Sequence, residues 1–331
     1  MSEHVLLTGA SGFIAKHILV RLLAAGHSVR ASVRDPSREG ELRRLVPDAG
    51  SRLGVVTLDL MQDDGWAGAL DGMTAVLHTA SPFPIAQPAN EDDVIRPAVD
   101  GTLRALRAAT ATGVHRVVLT SSIAAIMRPG NDRVQDESDW ADPDQPGMTA
   151  YAKSKTLAER AAWDFAATAP GLKLTVLNPG LVLGPPLDET FGSSVGVVRR
   201  FLSGKDPFVP VMGMPLVDVR DVAEAHLRAL ERPETAGRRY ILSADSMWFG
   251  EMTRMLKQAY PNRRIATRPA PKPLLRLLAL FDKEIRSILP EIGHINRVDS
   301  SRAHKELGID FIPAEQALLA TAQALVDRGL A

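Results

Sequence analysis

Tyr151 and Lys155 stand at the two ends of the run Tyr151-Ala152-Lys153-Ser154-Lys155. On a helix that i, i+4 spacing puts both side chains on one face, while Lys153 points elsewhere. A phenol holds its proton until a pH of about 10. A neighbouring ammonium stabilises the phenolate and lowers that value towards the working range. Upstream, an apolar run ends in Thr120-Ser121-Ser122. A hydroxyl there can bond the same oxygen on which charge develops. Ser122 is the expected group, with Ser121 as the alternative. The chemistry these types describe is proton donation to a carbonyl oxygen as its carbon is reduced, and the lysine can also hold ribose hydroxyls.

A second constellation lies at Thr8-Gly9-Ala10-Ser11-Gly12-Phe13-Ile14-Ala15. Gly9 permits a tight turn, and Gly12 removes a β-carbon where backbone must approach a pyrophosphate. Ala15 lets a helix lie close to a strand. Ser11, Phe13 and Ile14 complete the turn and open the helix, whose free N–H groups and positive dipole end suit a phosphate. The next strand ends in Arg34-Asp35-Pro36-Ser37-Arg38. A carboxylate at its tip would bind both ribose hydroxyls, whereas a guanidinium forks onto a 2′-phosphate. Arg34 and Arg38 therefore predict NADP, with NADPH preferred over NADH; the alternative has Arg34 solvated and Asp35 on the ribose. Asp59-Leu60 ends a third strand, where the carboxylate reaches an adenine amino group or caps a helix. Thr79-Ala80-Ser81 ends a fourth, where small residues let a cofactor pass.

The elements that must position these groups follow from periodicity. Strands are expected at His4–Thr8, Ser28–Arg34, Gly54–Leu58, Thr74–His78, Arg116–Ser121, Lys173–Asn178 and Arg239–Leu242. Helical spacing runs over Phe13–Ala25, Val94–Thr112, Ala150–Ala167 and Val219–Glu231. This alternation predicts an α/β protein, a Rossmann-type doubly wound parallel sheet with right-handed crossovers. Several strands are almost wholly apolar, as when both faces are covered. Pro179 to Pro215 holds six prolines and six glycines with no sustained period, and reads as loops and short elements. Beyond Ser243 the pattern is mainly helical. The expected division is a cofactor-binding part over 1–180 and 216–243, and a smaller, mostly helical substrate-binding lobe over 181–215 and 244–331.

Composition narrows the partners. Among 331 residues, 39 basic and 39 acidic side chains cancel, which argues against a coat for nucleic acid or anionic membrane. The absence of cysteine removes disulfides and thiolate chemistry. No stretch reaches the ~20 apolar residues of a membrane span; the richest, Pro273 to Phe281, is broken by Arg276. No basic-then-apolar leader opens the chain, so a cytoplasmic location is expected. No metal is expected: the eight histidines lack ligand spacing, and the acidic run Asp132 to Asp144 lacks the glycine and terminal glutamate of a calcium loop. The expected partner is a small carbonyl compound bound by a monomer or homodimer. Arginine greatly outnumbers lysine, and no lysine occurs between Lys16 and Lys153. A lysine at 155 is therefore informative, because a guanidinium has the wrong shape beside a phenol and a ribose.

Taken together, these motifs resemble the extended short-chain dehydrogenase/reductases. Within them the chain is similar to the dihydroflavonol reductase, cinnamoyl-CoA reductase and yeast-type carbonyl reductase group. Ser32-Val-Arg-Asp-Pro36, Thr79-Ala-Ser-Pro82, Glu137-Ser-Asp-Trp140, Ser154-Lys-Thr-Leu-Ala-Glu-Arg-Ala-Ala-Trp163, Asn178-Pro-Gly-Leu-Val-Leu-Gly-Pro185 and Asp218-Val-Arg-Asp-Val-Ala-Glu-Ala-His226 carry the resemblance further. It implies Tyr151 as proton donor, Lys155 as ribose anchor, Ser122 as carbonyl orienter, Arg34 on the 2′-phosphate and Pro179 behind the nicotinamide. Two departures bear on substrate. Gly147-Met-Thr-Ala-Tyr151 replaces the Asn-Trp-Tyr-Cys-Tyr-type motif of cinnamoyl-CoA reductases, so a CoA thioester is not expected. Ala125, Ile126 and Met127 stand where the plant flavonoid reductases place an asparagine. The expected pocket residues are Phe83, Met127, Phe191, Met212 and Met214, suited to varied hydrophobic aldehydes or ketones. The alternatives are an NAD-dependent sugar-nucleotide epimerase or dehydratase, which usually keeps an acidic residue where Arg34 stands, and a non-catalytic NADP-sensing protein, a kind that typically loses the Tyr/Lys pair.

Overall fold

Along the first strand, Val5 and Leu7 face one way and Leu6 the other, and all three are fully buried. This is the period-two geometry of a strand covered on both faces. The computed structural model describes residues 2–81, 90–128, 130 and 133–331. In it the chain runs β1 (His4–Thr8), α1 (Phe13–Ala24), β2 (Ser28–Val33), α2 (Glu39–Leu45), β3 (Leu53–Thr57), α3 (Trp66–Leu70), β4 (Ala75–His78), α4 (Asp92–Ala111), β5 (Arg116–Thr120), β6 (Val134–Gln135), α5 (Ala150–Thr168) and β7 (Lys173–Pro179). It continues through β8 (Leu181–Leu183), α6 (Ser193–Ser203), β9 (Gly213–Asp218), α7 (Val219–Glu231), β10 (Arg238–Leu242), β11 (Asp245–Trp248), α8 (Phe249–Ala259), α9 (Lys272–Leu278), α10 (Lys283–Ile288), β12 (Arg297–Val298) and α11 (Ala314–Asp327).

Seven parallel strands form the central sheet in the order β10-β7-β5-β4-β1-β2-β3. One face carries Val5, Leu7, Val29 and Ala31, packed with Ile18 and Leu22 of α1 and Val222 and Ala225 of α7. The other carries Leu6, Val76, Val117 and Val176, with Ala105 and Leu106 of α4 and Ala162 of α5. The chain leaves β1 towards β2 and β3 on one side and returns to β4 on the other. A crevice therefore opens between β1 and β4, at the carboxyl ends of the strands, where ligands bind in such sheets.

The region expected to hold loops and short elements, Pro179 to Pro215, contains the strand β8, the helix α6 and the start of β9. Gly196 interrupts the apolar period of α6 and Gly192 and Gly204 bound it, but Val195, Val198 and Leu202 still bury one stripe. β8 and β9 pair in parallel and β9 and β11 antiparallel, giving a second sheet ordered β11-β9-β8. Gly213 lets another segment approach, since a β-carbon there would lie 2.6 Å from Ile295 Cγ1. The chain at 294–296 is held there by Gly213 N–H to His294 O at 3.0 Å and Asn296 N–H to Gly213 O at 3.2 Å.

Candidate active site

The crevice begins at the glycine turn. Gly9 has φ +68°, and a β-carbon there would meet Ala80 Cα at 2.9 Å. Both the backbone conformation and the close approach of the β4 end exclude a side chain. The Thr8 hydroxyl accepts from Thr79 N–H and Ala80 N–H, each at 3.1 Å, and locks the ends of β1 and β4 together. Gly12 precedes α1, and no side chain caps the helix. Its first-turn N–H groups therefore remain available to a ligand.

Around this turn lies an open cleft of about 610 Å³, lined by Ser11, Ser32, Arg34, Asp59, Leu60, Thr79, Ala80 and Ser81, with Trp66 and Pro97 closing one side. Arg34 is exposed and has no hydrogen-bond or ion-pair partner among the described residues. Asp35 spends its carboxylate on Ser37 N–H at 2.9 Å. Its Ser37 contacts hold its pKa below the ordinary carboxylate range. Asp59 accepts from Met61 N–H at 2.8 Å and so caps a turn; α3 begins only at Trp66. Arg38 is placed differently from Arg34. It pairs with Glu41 at 2.9 Å and donates to Thr190 Oγ1 at 3.0 Å. Nearby, the buried Lys16 bonds Asp188, and His17 bonds Pro185 O at 3.1 Å. Lys16, His17 and Arg38 thus tie the strap at 185–190 to α1 and its neighbourhood, ahead of Gly192, Ser193 and Ser194.

The cleft continues into a narrower space of about 230 Å³ between Gly12, Phe13 and Ile14 on one side and Ser122, Tyr151, Lys155 and Pro179 on the other. Thr149 caps α5 through Ala152 N–H at 3.1 Å. Tyr151 therefore sits in the first helical turn, where the dipole favours negative charge. Ser122 is extended and accepts from Ala124 N–H at 3.1 Å, and its hydroxyl is bonded to that of Tyr151. Ser121 instead gives its hydroxyl proton to Glu159 at 2.5 Å. The geometry thus separates Ser122, the expected group, from Ser121, its alternative in the sequence.

The electrostatics differ from expectation in one respect. Burial raises the Tyr151 phenol above its ordinary value, and the Ser122 bond opposes that. The Lys155 ammonium lies 5.8 Å from the centre of the tyrosine ring. Burial pushes Lys155 down to about 8, with the Glu159 carboxylate acting against it. Lys155 is 9% exposed, lines the narrow space, and makes no hydrogen bond to any described residue. An almost buried ammonium without a hydrogen bond to the described residues is costly, and its position calls for a ligand.

Glu159 is the main residue that spacing arguments missed. One turn beyond Lys155, it accepts from Ser121, from Asn178 Nδ2 at 2.7 Å and from Arg239 Nε at 2.6 Å. Asn178 also donates to Ser122 O at 3.1 Å. A Tyr/Lys/Glu repeat along one helix face, at 151, 155 and 159, is the signal that could have found it.

An adjoining cavity of about 270 Å³ opens beyond Ser122 and Tyr151. Met127, Met212 and Met214 line it, and so do Met148, Ser193, Ser194 and residues of the segment 287–291, which the sequence reading did not single out. Phe191 does not line these spaces; it packs against the main core with the Arg199 guanidinium 5.7 Å from its ring centre. Phe83 lies outside the described residues.

Two buried histidines serve structure. His226 bonds Thr120 Oγ1 at 2.6 Å and Val222 O at 2.7 Å, and burial lowers it to about 4. His78 bonds Thr8 Oγ1 at 2.9 Å, and burial beside Lys155 lowers it to about 3. Among the described residues no group of side chains could hold a metal ion. No helix among them is long and apolar enough to cross a membrane.

Comparison with known proteins places this architecture. Residues 5–243 match the model of the NAD dependent epimerase/dehydratase family. Cinnamoyl-CoA reductase 1 of Petunia hybrida is 34% identical over 334 residues, covering 98% of this chain and 92% of that protein. Dihydroflavonol 4-reductase of Zea mays is 35% identical over 274 residues, covering 80% and 76%. The crystal structure of yeast methylglyoxal/isovaleraldehyde reductase Gre2 complexed with NADPH superposes with a TM-score of 0.83 at 26% identity, covering 99% of this chain and 100% of that one.

Proposed function

This chain belongs to the NAD dependent epimerase/dehydratase family, the extended short-chain dehydrogenase/reductases, and from that membership we propose that it is an NADPH-dependent reductase of hydrophobic aldehydes and ketones. The observation that carries the reading is the meeting of Ser122, Tyr151 and Lys155 where a dinucleotide cleft joins a methionine-lined cavity.

The residues fit the cofactor. The Gly9 turn admits no β-carbon, α1 has no side-chain cap, and among the described residues Arg34 is unpaired and the buried Lys155 has no hydrogen-bond partner. The glycine turn with Ser11, Gly12, Phe13 and Ile14 would hold the pyrophosphate, and Arg34 the 2′-phosphate. Asp59, Leu60, Thr79, Ala80 and Ser81 would flank the adenosine half, Lys155 would bond the nicotinamide ribose, and Pro179 would back the ring. NADPH bound there supplies the hydride. Ser122 holds the substrate carbonyl oxygen, and Tyr151 gives its hydroxyl proton to that oxygen as the carbon is reduced. The upward pKa of the buried phenol keeps this proton in place until substrate arrives. The first turn of α5 and the ammonium beside the ring then offset the negative charge left on the phenol oxygen. Met127, Met212 and Met214 accommodate an apolar substrate body. The same reading puts the enzyme in the cytoplasm as a monomer or homodimer, with cofactor and substrate parts divided at 1–180 with 216–243 and 181–215 with 244–331.

The test is NADPH oxidation followed optically against a panel of carbonyl compounds. Tyr151→Phe is expected to lower turnover about 100- to 10,000-fold while NADPH affinity is retained. Unchanged turnover in that variant would remove Tyr151 from the role.

A further inference from the structure

The substrate cavity is lined by apolar side chains and hydroxyls with one exception. Glu291 is the only carboxylate among its described lining residues. It is held from behind, because the Nδ2 of Asn296, a residue 1% exposed, donates to Glu291 Oε2 at 2.8 Å. Asn296 is itself fixed by its N–H to Gly213 O, in the segment whose approach depends on the missing β-carbon of Gly213. One carboxylate oxygen is thus pinned. The other has no partner among the described residues. Glu291 is half-buried, and its cavity is otherwise suited to hydrocarbon. Glu291 lines the same cavity as Ser122 and Tyr151, where it can meet a substrate.

A carboxylate oxygen in such a cavity accepts hydrogen bonds strongly and repels anions. A substrate that is apolar throughout must strip water from this oxygen and leave it unbonded, which costs binding. A substrate carrying a donor loses nothing there. From this geometry we propose that Glu291, anchored by Asn296, is a specificity-determining residue that selects carbonyl compounds bearing a hydrogen-bond donor, a hydroxyl or an ammonium, on an otherwise apolar body, and discriminates against anionic ones. The inference rests on the reductase reading and narrows it to a substrate class.

The test compares matched aldehydes. Each apolar aldehyde is assayed beside its hydroxylated, aminomethylated and carboxylated analogues, with NADPH, in the wild type, Glu291→Gln and Glu291→Leu. The wild type is expected to favour the hydroxylated over the plain member about tenfold or more in kcat/KM, the size of a hydrogen bond to a charged group. The carboxylated member should be the poorest. Glu291→Leu should bring the hydroxylated-to-plain ratio close to one, mainly through KM. Glu291→Gln keeps an acceptor without charge, so it should retain part of the hydroxyl preference and lose the ammonium preference, which separates the two donors. NADPH binding reports that each variant is folded. A ratio that Glu291→Leu leaves unmoved, with the panel still reduced, overturns this inference alone. No reduction of any member by the wild type overturns the reductase reading and this inference together.

Discussion

Asn178 Nδ2 lies 2.7 Å from Glu159 Oε2 and also donates to the carbonyl of Ser122 at 3.1 Å. A side chain on β7 therefore joins a buried carboxylate on α5 to the backbone of the residue that bonds the Tyr151 hydroxyl. The same carboxylate takes Ser121 and Arg239, and its charge opposes the fall in the Lys155 pKa. Glu159 positions the site without facing the reacting atoms.

Replacing Glu159 by Gln keeps the size and much of the bonding but removes the charge. Lys155 then loses the group that raises its pKa, and its ammonium gives up the proton at a lower pH than its present value of about 8. If the protonated lysine is the active form, the alkaline fall of kcat/KM moves to lower pH in Glu159→Gln. Arg239 is left buried without its anion, so stability should drop on the order of 3 kcal/mol. A pH–rate profile and a urea titration measure the two effects. A stability loss with an unmoved alkaline limb would reduce Glu159 to a purely structural part.

Lys155 gives a prediction of opposite sign for stability. Its folded-state pKa of about 8 lies below the ordinary 10.5. Below about 8 both states carry the proton, and the folded protein bears the cost of an unpaired buried ammonium. Between about 8 and 10.5 the unfolded chain binds more protons, so stability through this group rises with pH. Lys155→Met should therefore abolish turnover yet stabilise the cofactor-free protein at pH 7, by an amount on the order of 3 kcal/mol. That advantage should shrink steadily up to pH 10.5. Urea unfolding of both proteins across this range checks it, and a variant no more stable at pH 7 would show that the ammonium carries no such cost.

The catalytic face and the glycine turn are legible in the sequence because each is a local pattern at a strand or helix end. The i, i+4 spacing of Tyr151 and Lys155 is set by helix geometry, and Gly9 announces a positive φ. Other features depend on which segments meet. Ser121 and Ser122 separate only when Glu159 is seen to take one of them. Arg38 looks like a second phosphate ligand until Glu41 and Thr190 are found around it, and Thr190 is far along the chain. Glu291 reaches the cavity through a close approach at Gly213 that leaves no period to read. The helix α6 is masked by Gly196 within it and by Gly192 and Gly204 at its ends, although its valines still bury one face.

Arg34 and Arg38 are separable by experiment because their surroundings differ. Arg34 lines the cleft with no partner among the described residues, whereas Arg38 is spent on Glu41 and Thr190. A 2′-phosphate distinguishes NADPH from NADH, so a residue that binds it must alter the ratio of the two. Arg34→Ala is expected to raise KM for NADPH about ten- to a hundredfold, the loss of charge-assisted bonds, with little change for NADH. Arg38→Ala frees the strap at 185–190, which lies ahead of Ser193 and Ser194 in the narrow space common to both cofactors. It should weaken NADPH and NADH to a similar extent and leave their ratio in place. Steady-state kinetics with each cofactor, at one carbonyl concentration, settles the assignment. The opposite pattern, a ratio that collapses in Arg38→Ala and survives in Arg34→Ala, would transfer the phosphate to Arg38 and require Thr190 and Glu41 to release it when the cofactor binds.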